Sequence, residues 1–229
     1  MFAFGQCAYR RPLDPSDRTR IEEIYRKRLS EKASPRQAAL DTLKMILCSP
    51  SFLYLSEITP EDETKLRPFD LASRLSYALW AAPPDDELFA AAQSGRLTET
   101  DELKKQIVRL LGDDRSNEFI NGFLDSWLNL RDIGNLPPPR NAAWEYYAQN
   151  LPESMKQEAR LFFRNLLDEN GSVIDFLDAD YTFVDKKLAT LYGLPERDTL
   201  RLADGFQRVS LAKNNQRGGV LGMAGVLTV

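Results

Sequence analysis

Apolar residues recur at helical spacing along most of the chain, and a proline or a short polar residue punctuates each run. Asp14-Pro15 sets an N-cap before proline at the first helical position, and Ile21, Ile24, Tyr25 and Leu29 follow on one face. Ser34-Pro35 repeats the signal. Ala38, Ala39, Leu40, Leu43, Ile46 and Leu47 give the next helix a broad apolar face that stops near Ser49-Pro50. These two helices are expected to pair antiparallel. Asp70 is read as opening a helix with Leu71, Leu75, Ala78 and Leu79 on one side. Pro83-Pro84-Asp85 stops it and caps another helix that ends before Gly95.

Thr98-x-x-Asp101 has the spacing of a capping box and leads into Leu103, Ile107, Leu110 and Leu111, with Gly112 just past the end. Phe119, Phe123, Leu124, Trp127 and Leu128 form the most aromatic stripe, and Gly134 with Pro137-Pro138-Pro139 breaks the pattern. Beyond that boundary a short segment carries Trp144, Tyr146 and Tyr147. Leu151-Pro152 then opens a longer helix with Met155, Leu161, Phe162 and Leu166, closed by Asn170-Gly171. A last helix is expected from about Val184 to Tyr192. Strand patterns are short: Tyr181 to Val184 is the clearest, followed by Thr199 to Leu202 and Gln207 to Leu211. The expected fold is all-α, an irregular multi-helix bundle with at most a few short strands near the C-terminal third.

Composition narrows the function classes. The 229 residues, 43% hydrophobic and 28% charged, suffice for a sizeable core in one or two domains without disulfides or metal. Lys+Arg 30 against Asp+Glu 34 gives a net charge of -4, without the basic excess of a phosphate-binding surface, so no nucleic acid partner is expected. No apolar run reaches the roughly 18 residues of a membrane helix, and no membrane insertion is expected. The segment Met1 to Gln6 lacks the regions of a signal peptide, and both ends read as cuts inside a longer secreted polypeptide. The chain has no histidine, which removes the commonest general base, the commonest metal ligand and every Ser/His/Asp or Cys/His arrangement. It also removes C-x-x-C-H haem attachment, and no metal centre is expected. Cys7 and Cys48 form no C-x-x-C pair; one disulfide or two buried thiols are both open, with buried thiols favoured.

Few constellations carry chemistry. Asp175, Asp178 and Asp180 are the densest carboxylates beside aromatic residues and are the candidate catalytic groups, as a cation site or an acid and base with separated pKa values. Their spacing is not that of an EF-hand loop, and the competing reading is that they cap helices and make turns. Asp85-Asp86-Glu87 suits a helix N-terminus. Arg10 and Arg11, in Tyr9-Arg10-Arg11-Pro12, are candidate ligand-binding residues because paired guanidiniums fit a carboxylate or phosphate; a surface ion pair is the alternative. Trp144 and Tyr147, with Trp127, are candidates for stacking a sugar ring, against the plainer reading of core aromatics. Walker, G-x-G-x-x-G, H-E-x-x-H and G-x-S-x-G motifs do not occur.

Several longer segments together resemble the planctomycetal cytochrome-c-associated multidomain proteins, assembled from consecutive helical domains of unknown function. Ala8 to Leu13 and Leu47 to Tyr54 are similar to the family's first small helical module. Leu71 to Trp80, Pro84 to Leu88 and Leu177 to Phe183 are similar to its central helical module, and Arg217-Gly218-Gly219 with Val226 to Val229 to the start of a third. The resemblance implies modules over residues 1–60, 61–212 and 213–229. It implies a larger exported protein, periplasmic or at the cell surface, whose neighbouring domains are the partners. A c-type haem would lie elsewhere in that polypeptide, with no cofactor in this chain. The expected role is a non-catalytic helical interaction or scaffold module; the alternative is a carboxylate-dependent hydrolase or carbohydrate-binding domain.

Overall fold

A computed structural model describes residues 1–55, 67–135, 139, 141, 146–147, 150–194, 205–211 and 217–228. The described residues form twelve α-helices and one two-stranded sheet, the mostly α fold that the periodicity predicts. They divide into two compact units, Met1–Ser116 and Asn117–Val229. Pro137 and Pro138, Trp144 and the expected strand from Thr199 to Leu202 lie outside the described residues.

The first unit begins with a helix that the periodicity does not announce, α1 (Phe2–Tyr9), which has no side-chain cap. Its Gly5 lies close against Ile21 and Leu13, so packing stands in for capping. α2 (Pro15–Ser30) and α3 (Pro35–Leu47) form a helical hairpin tied by Arg28 to Asp41 at 2.7 Å. Asp14 accepts from Asp17 N at 2.8 Å in a full capping box, and Ser34 caps α3. The buried stripe of α3 is narrower than its hydrophobicity suggests: Ala38, Thr42 and Ile46 are inside, whereas Leu40 and Leu47 are exposed. Thr42 tolerates that position because its hydroxyl donates to the Ala38 carbonyl at 2.8 Å. Both cysteines are free and exposed, which corrects the expectation of buried thiols; they sit on the outer faces of α1 and the end of α3.

After the short α4 (Pro50–Leu53), α5 (Pro68–Trp80), α6 (Asp86–Gln93) and α7 (Thr100–Leu111) enclose a second core of Ala72, Leu88, Leu97 and Leu110 around Trp80. α5 starts at Pro68, two residues before Asp70, because proline occupies the first helical position. α7 is not capped by Thr98, whose hydroxyl closes the preceding 3-10 turn onto Gly95 O instead. Trp80 donates its indole N–H to Leu110 O at 2.9 Å, and Arg115 stacks 3.4 Å above its ring. Asp85 caps α6 through Leu88 N and receives a two-pronged contact from Arg109 at 2.7 and 3.0 Å.

The second unit is built round α9 (Leu151–Asp168), which packs against α8 (Asn117–Trp127), strand β1 (Tyr181–Val184) and the later helices α11 (Lys186–Leu191) and α12 (Ala224–Leu227). Between α9 and β1 the chain makes one helical turn, α10 (Asp175–Asp178). β1 pairs antiparallel with β2 (Gln207–Ser210), with Tyr181 opposite Ser210 and Val184 opposite Gln207. Val184 therefore belongs to the strand and not to the following helix, which starts two residues later under an Asp185 cap.

One inward face of α9 is polar. Glu158 is fully buried; Thr182 of β1 donates to its Oε1 at 2.6 Å and the Tyr192 hydroxyl to its Oε2 at 2.6 Å. Tyr192 in turn accepts from Ala224 N at 2.8 Å, and Arg217 stacks 4.1 Å over its ring. One carboxyl thus joins α9, β1, the end of α11 and the segment 217–224. Gly219 (φ 55°) lets that segment lie on the backbone of α10, where an added Cβ would overlap the carbonyls of Phe176 and Leu177.

Burial pushes the Glu158 carboxyl up to about 7; the Thr182 and Tyr192 hydrogen bonds and the charge of Arg217 oppose that rise, and Asp185 adds to it. Its ordinary value is 4.5, so the folded chain keeps a proton that the unfolded chain loses, and stability falls as pH rises from 4.5 to about 7. The loss is on the order of 3 kcal/mol. Glu158→Gln, the shape of the protonated acid, should remove this slope, so that urea unfolding shows the variant the more stable at about pH 8 and equal to wild type at about pH 5. In the same assay Gly219→Ala should destabilise by about 2 kcal/mol, while Gly122→Ala, in open space on α8, should stabilise by about 0.5 to 1 kcal/mol.

Candidate functional site

The three candidate carboxylates share one short segment. Asp175 begins α10, Asp178 ends it, and Asp180 directly precedes β1, its backbone carbonyl accepting from Leu211 N at 2.6 Å. Asp178 and Asp180 are exposed and Asp175 half-buried, and none makes an ion pair among the described residues. No three acidic or cysteine side chains among the described residues converge to hold a metal ion.

What surrounds these carboxylates is apolar and exposed. Val173 (77% exposed), Ile174 and Leu177 (69%) face outward, while Phe176 turns inward against Phe163 and Phe162. Trp127, at the end of α8, meets Phe176 edge-on at 5.2 Å and Phe123 at 5.4 Å, yet remains 49% exposed. The 3-10 turn Val220–Gly222, which packs on α10, adds an exposed Leu221. Four exposed aliphatic side chains and a half-exposed indole therefore lie on α10 and the elements that pack on it, beside carboxylates that have no ion pair among the described residues. Isolated apolar residues on a surface need no explanation, but a grouped set with a polar rim marks a contact region.

Arg10 and Arg11 come to the wall of one cavity in the first unit but do different work. Arg10 (φ 58°) ends α1 in the left-handed region and is only 7% exposed. Its guanidinium donates to the carbonyls of Ala8 (3.1 Å), Phe52 (3.2 Å), Ser51 (2.9 Å) and Tyr54 (3.1 Å), so it satisfies the open end of α4. Arg11 pairs with Asp17 at 2.6 Å and lies near Asp14 at 3.7 Å. The cavity has a volume of about 360 Å³, and Tyr54, Phe69 and Arg67 also line it. Tyr147 is half-buried and lies edge-on to Tyr146 at 5.3 Å; Trp144 lies outside the described residues.

Glu158 has the titration of a general acid or base, and sequence spacing does not single it out; it looks like any charged position on an amphipathic helix. Among the described residues the space beside it is about 10 Å³, about what one water needs. Arg67 was missed for a different reason, since only folding brings it from α5 to the residues of α1.

No helix among the described residues is long and apolar enough to cross a membrane. No curated protein and no solved structure matches the chain. Two families do: one described as "Protein of unknown function (DUF1595)" over residues 1–57, and one described as "Protein of unknown function (DUF1592)" over residues 66–194. The second match takes in α5 to α11 and so includes Trp80, Trp127, Glu158 and the acidic segment, more than half of the chain, which therefore belongs to the DUF1592 family.

Proposed function

We propose that the chain is a non-catalytic interaction module of a larger exported protein. It docks through the surface around Leu177 onto a neighbouring domain of the same polypeptide. The observation that carries this reading is the juxtaposition of exposed Val173, Ile174, Leu177 and Trp127 with Asp175, Asp178 and Asp180, which make no ion pair among the described residues. An apolar centre with an acidic edge selects a partner whose own apolar surface is ringed by lysine or arginine. The carboxylates then steer the encounter and set its orientation, while the aliphatic side chains supply the buried area.

The resemblance to planctomycetal cytochrome-c-associated proteins supports a c-type haem domain as that neighbour, and a periplasmic or cell-surface location. This sequence has no histidine and so no C-x-x-C-H motif, and the haem of this reading would belong to another part of the polypeptide. A sugar site at Trp127 is the weaker alternative, because such sites set polar side chains around the ring. Here the ring's neighbours are Phe123 and Phe176.

Calorimetric titration of the chain against the haem-bearing part of its parent polypeptide tests the reading. Saturable binding that weakens as salt is raised is expected, and Leu177→Asp should weaken it by about tenfold or more. Absence of binding, or equal binding by the variant, would remove the basis of the proposal.

A further inference from the structure

One short stretch of chain covers much of the Glu158 carboxyl. The space beside that carboxyl is about 10 Å³, and Arg217, Gly218, Gly219, Gly222 and Met223 form a large part of its wall. The stretch is fastened through the carboxyl it covers. The Ala224 N–H donates to the Tyr192 hydroxyl at 2.8 Å, and that hydroxyl gives its own single proton to Glu158 Oε2 at 2.6 Å. Arg217 lies 4.1 Å over the Tyr192 ring and donates to Gly222 O at 2.7 Å. Further ties are Gly219 N to Ala179 O at 3.2 Å and the buried side chains of Val220 and Met223.

Ionisation changes what this corner of the fold requires. A carboxylate has about four acceptor sites, and among the described residues Glu158 receives one hydroxyl on each oxygen, from Thr182 and from Tyr192. A full charge held so sparsely in a buried position is unfavourable, whereas the neutral acid needs fewer partners. Burial is the largest influence on this carboxyl; the two hydroxyls and Arg217 favour its charge, and Asp185 at the start of α11 opposes it. Burial and Glu158 itself push the Tyr192 hydroxyl up, so it keeps its proton. α11 also carries Lys186, exposed, and Lys187, half-buried, and neither pairs with Glu158 among the described residues. β1 stacks Tyr181 on Phe162, α8 sends Asp125 towards Arg160, and α12 has no ionisable side chain.

We propose that the segment 217–224 is a strap that ionisation of Glu158 releases: it closes over the neutral carboxyl and lifts from the charged one, so that water reaches the carboxylate while α9, β1 and α11 stay folded. Three glycines among its first six residues let the backbone reorient at low steric cost. Leu221 rides on the strap, so release also takes that side chain off α10. The device belongs to the interior of the second unit and stands whether or not the Leu177 surface docks a partner.

Amide hydrogen exchange of the full chain, read residue by residue by NMR and corrected for intrinsic exchange, tests it. The covered carboxyl titrates at about 7 and the uncovered one at its ordinary 4.5, so opening is promoted as pH rises through that window. The opening constant of the Ala224 amide should rise about 70-fold from pH 5 to pH 8, and at both values exceed that of Phe162, inside α9, by about tenfold or more. Glu158→Gln should hold Ala224 near its pH 5 protection at both values. Tyr192→Phe, which removes the hydroxyl between strap and carboxyl, should raise Ala224 opening at pH 5 as well. Equal opening of Ala224 and Phe162 at both values would mean that the unit opens only as a whole, and that comparison needs no variant to fold. That result, a pH-independent Ala224 in the wild type, or the same rise in Glu158→Gln would overturn the assignment.

Discussion

The second unit depends on a carboxyl group that makes no ion pair among the described residues. Glu158 is wholly buried and is held by two hydroxyls, one from a strand and one from the end of a helix, and the second hydroxyl also receives the amide of Ala224. Such a group is stabilising only while every lone pair and proton is satisfied, so the positions of β1, Tyr192 and the 217–224 segment are fixed together. The aromatic packing of Phe162 on Tyr181 and the sheet register add to that arrangement.

The first unit solves the same problem of polar groups in a small core by the opposite means. Asp85 stays near the surface, where burial would raise its carboxyl, but Arg109, Leu88 N–H and Arg115 outweigh burial and hold it below its ordinary value. Trp80 supplies the apolar bulk and places its single donor on a helix-end carbonyl. Arg10 works likewise at the other end of that unit, closing four carbonyls with one side chain. Each core therefore closes by giving a polar side chain to backbone groups that the helices leave open.

Legibility from sequence followed the range of the interaction. Asp14-Pro15, Ser34-Pro35 and Asp85 act within three residues of themselves, and each caps the helix expected of it. The strand at Tyr181 was equally visible. By contrast α1 has no capping residue, and only its packing on Ile21 and Leu13 makes it a helix. Thr98 had a capping-box spacing, yet a nearer carbonyl took its hydroxyl. Asp175, Asp178 and Asp180 were conspicuous as acids, but which neighbours point outward depends on how Phe176 is buried, a fact of tertiary packing. Arg10 and Arg11 were found together because they are adjacent, while Arg67 lies far along the chain and its relation to them exists only in the fold.

The reach of the Glu158 network has a consequence for how the chain is made. The first unit closes on contacts among residues up to Ser116, so it can complete its core while the rest is still being synthesised. The second cannot: the amide that completes the Tyr192 and Glu158 arrangement belongs to Ala224. Until that residue leaves the ribosome, the strand and helices of the second unit surround a carboxyl whose partners are incomplete, and this half of the nascent chain is the one a chaperone would find open.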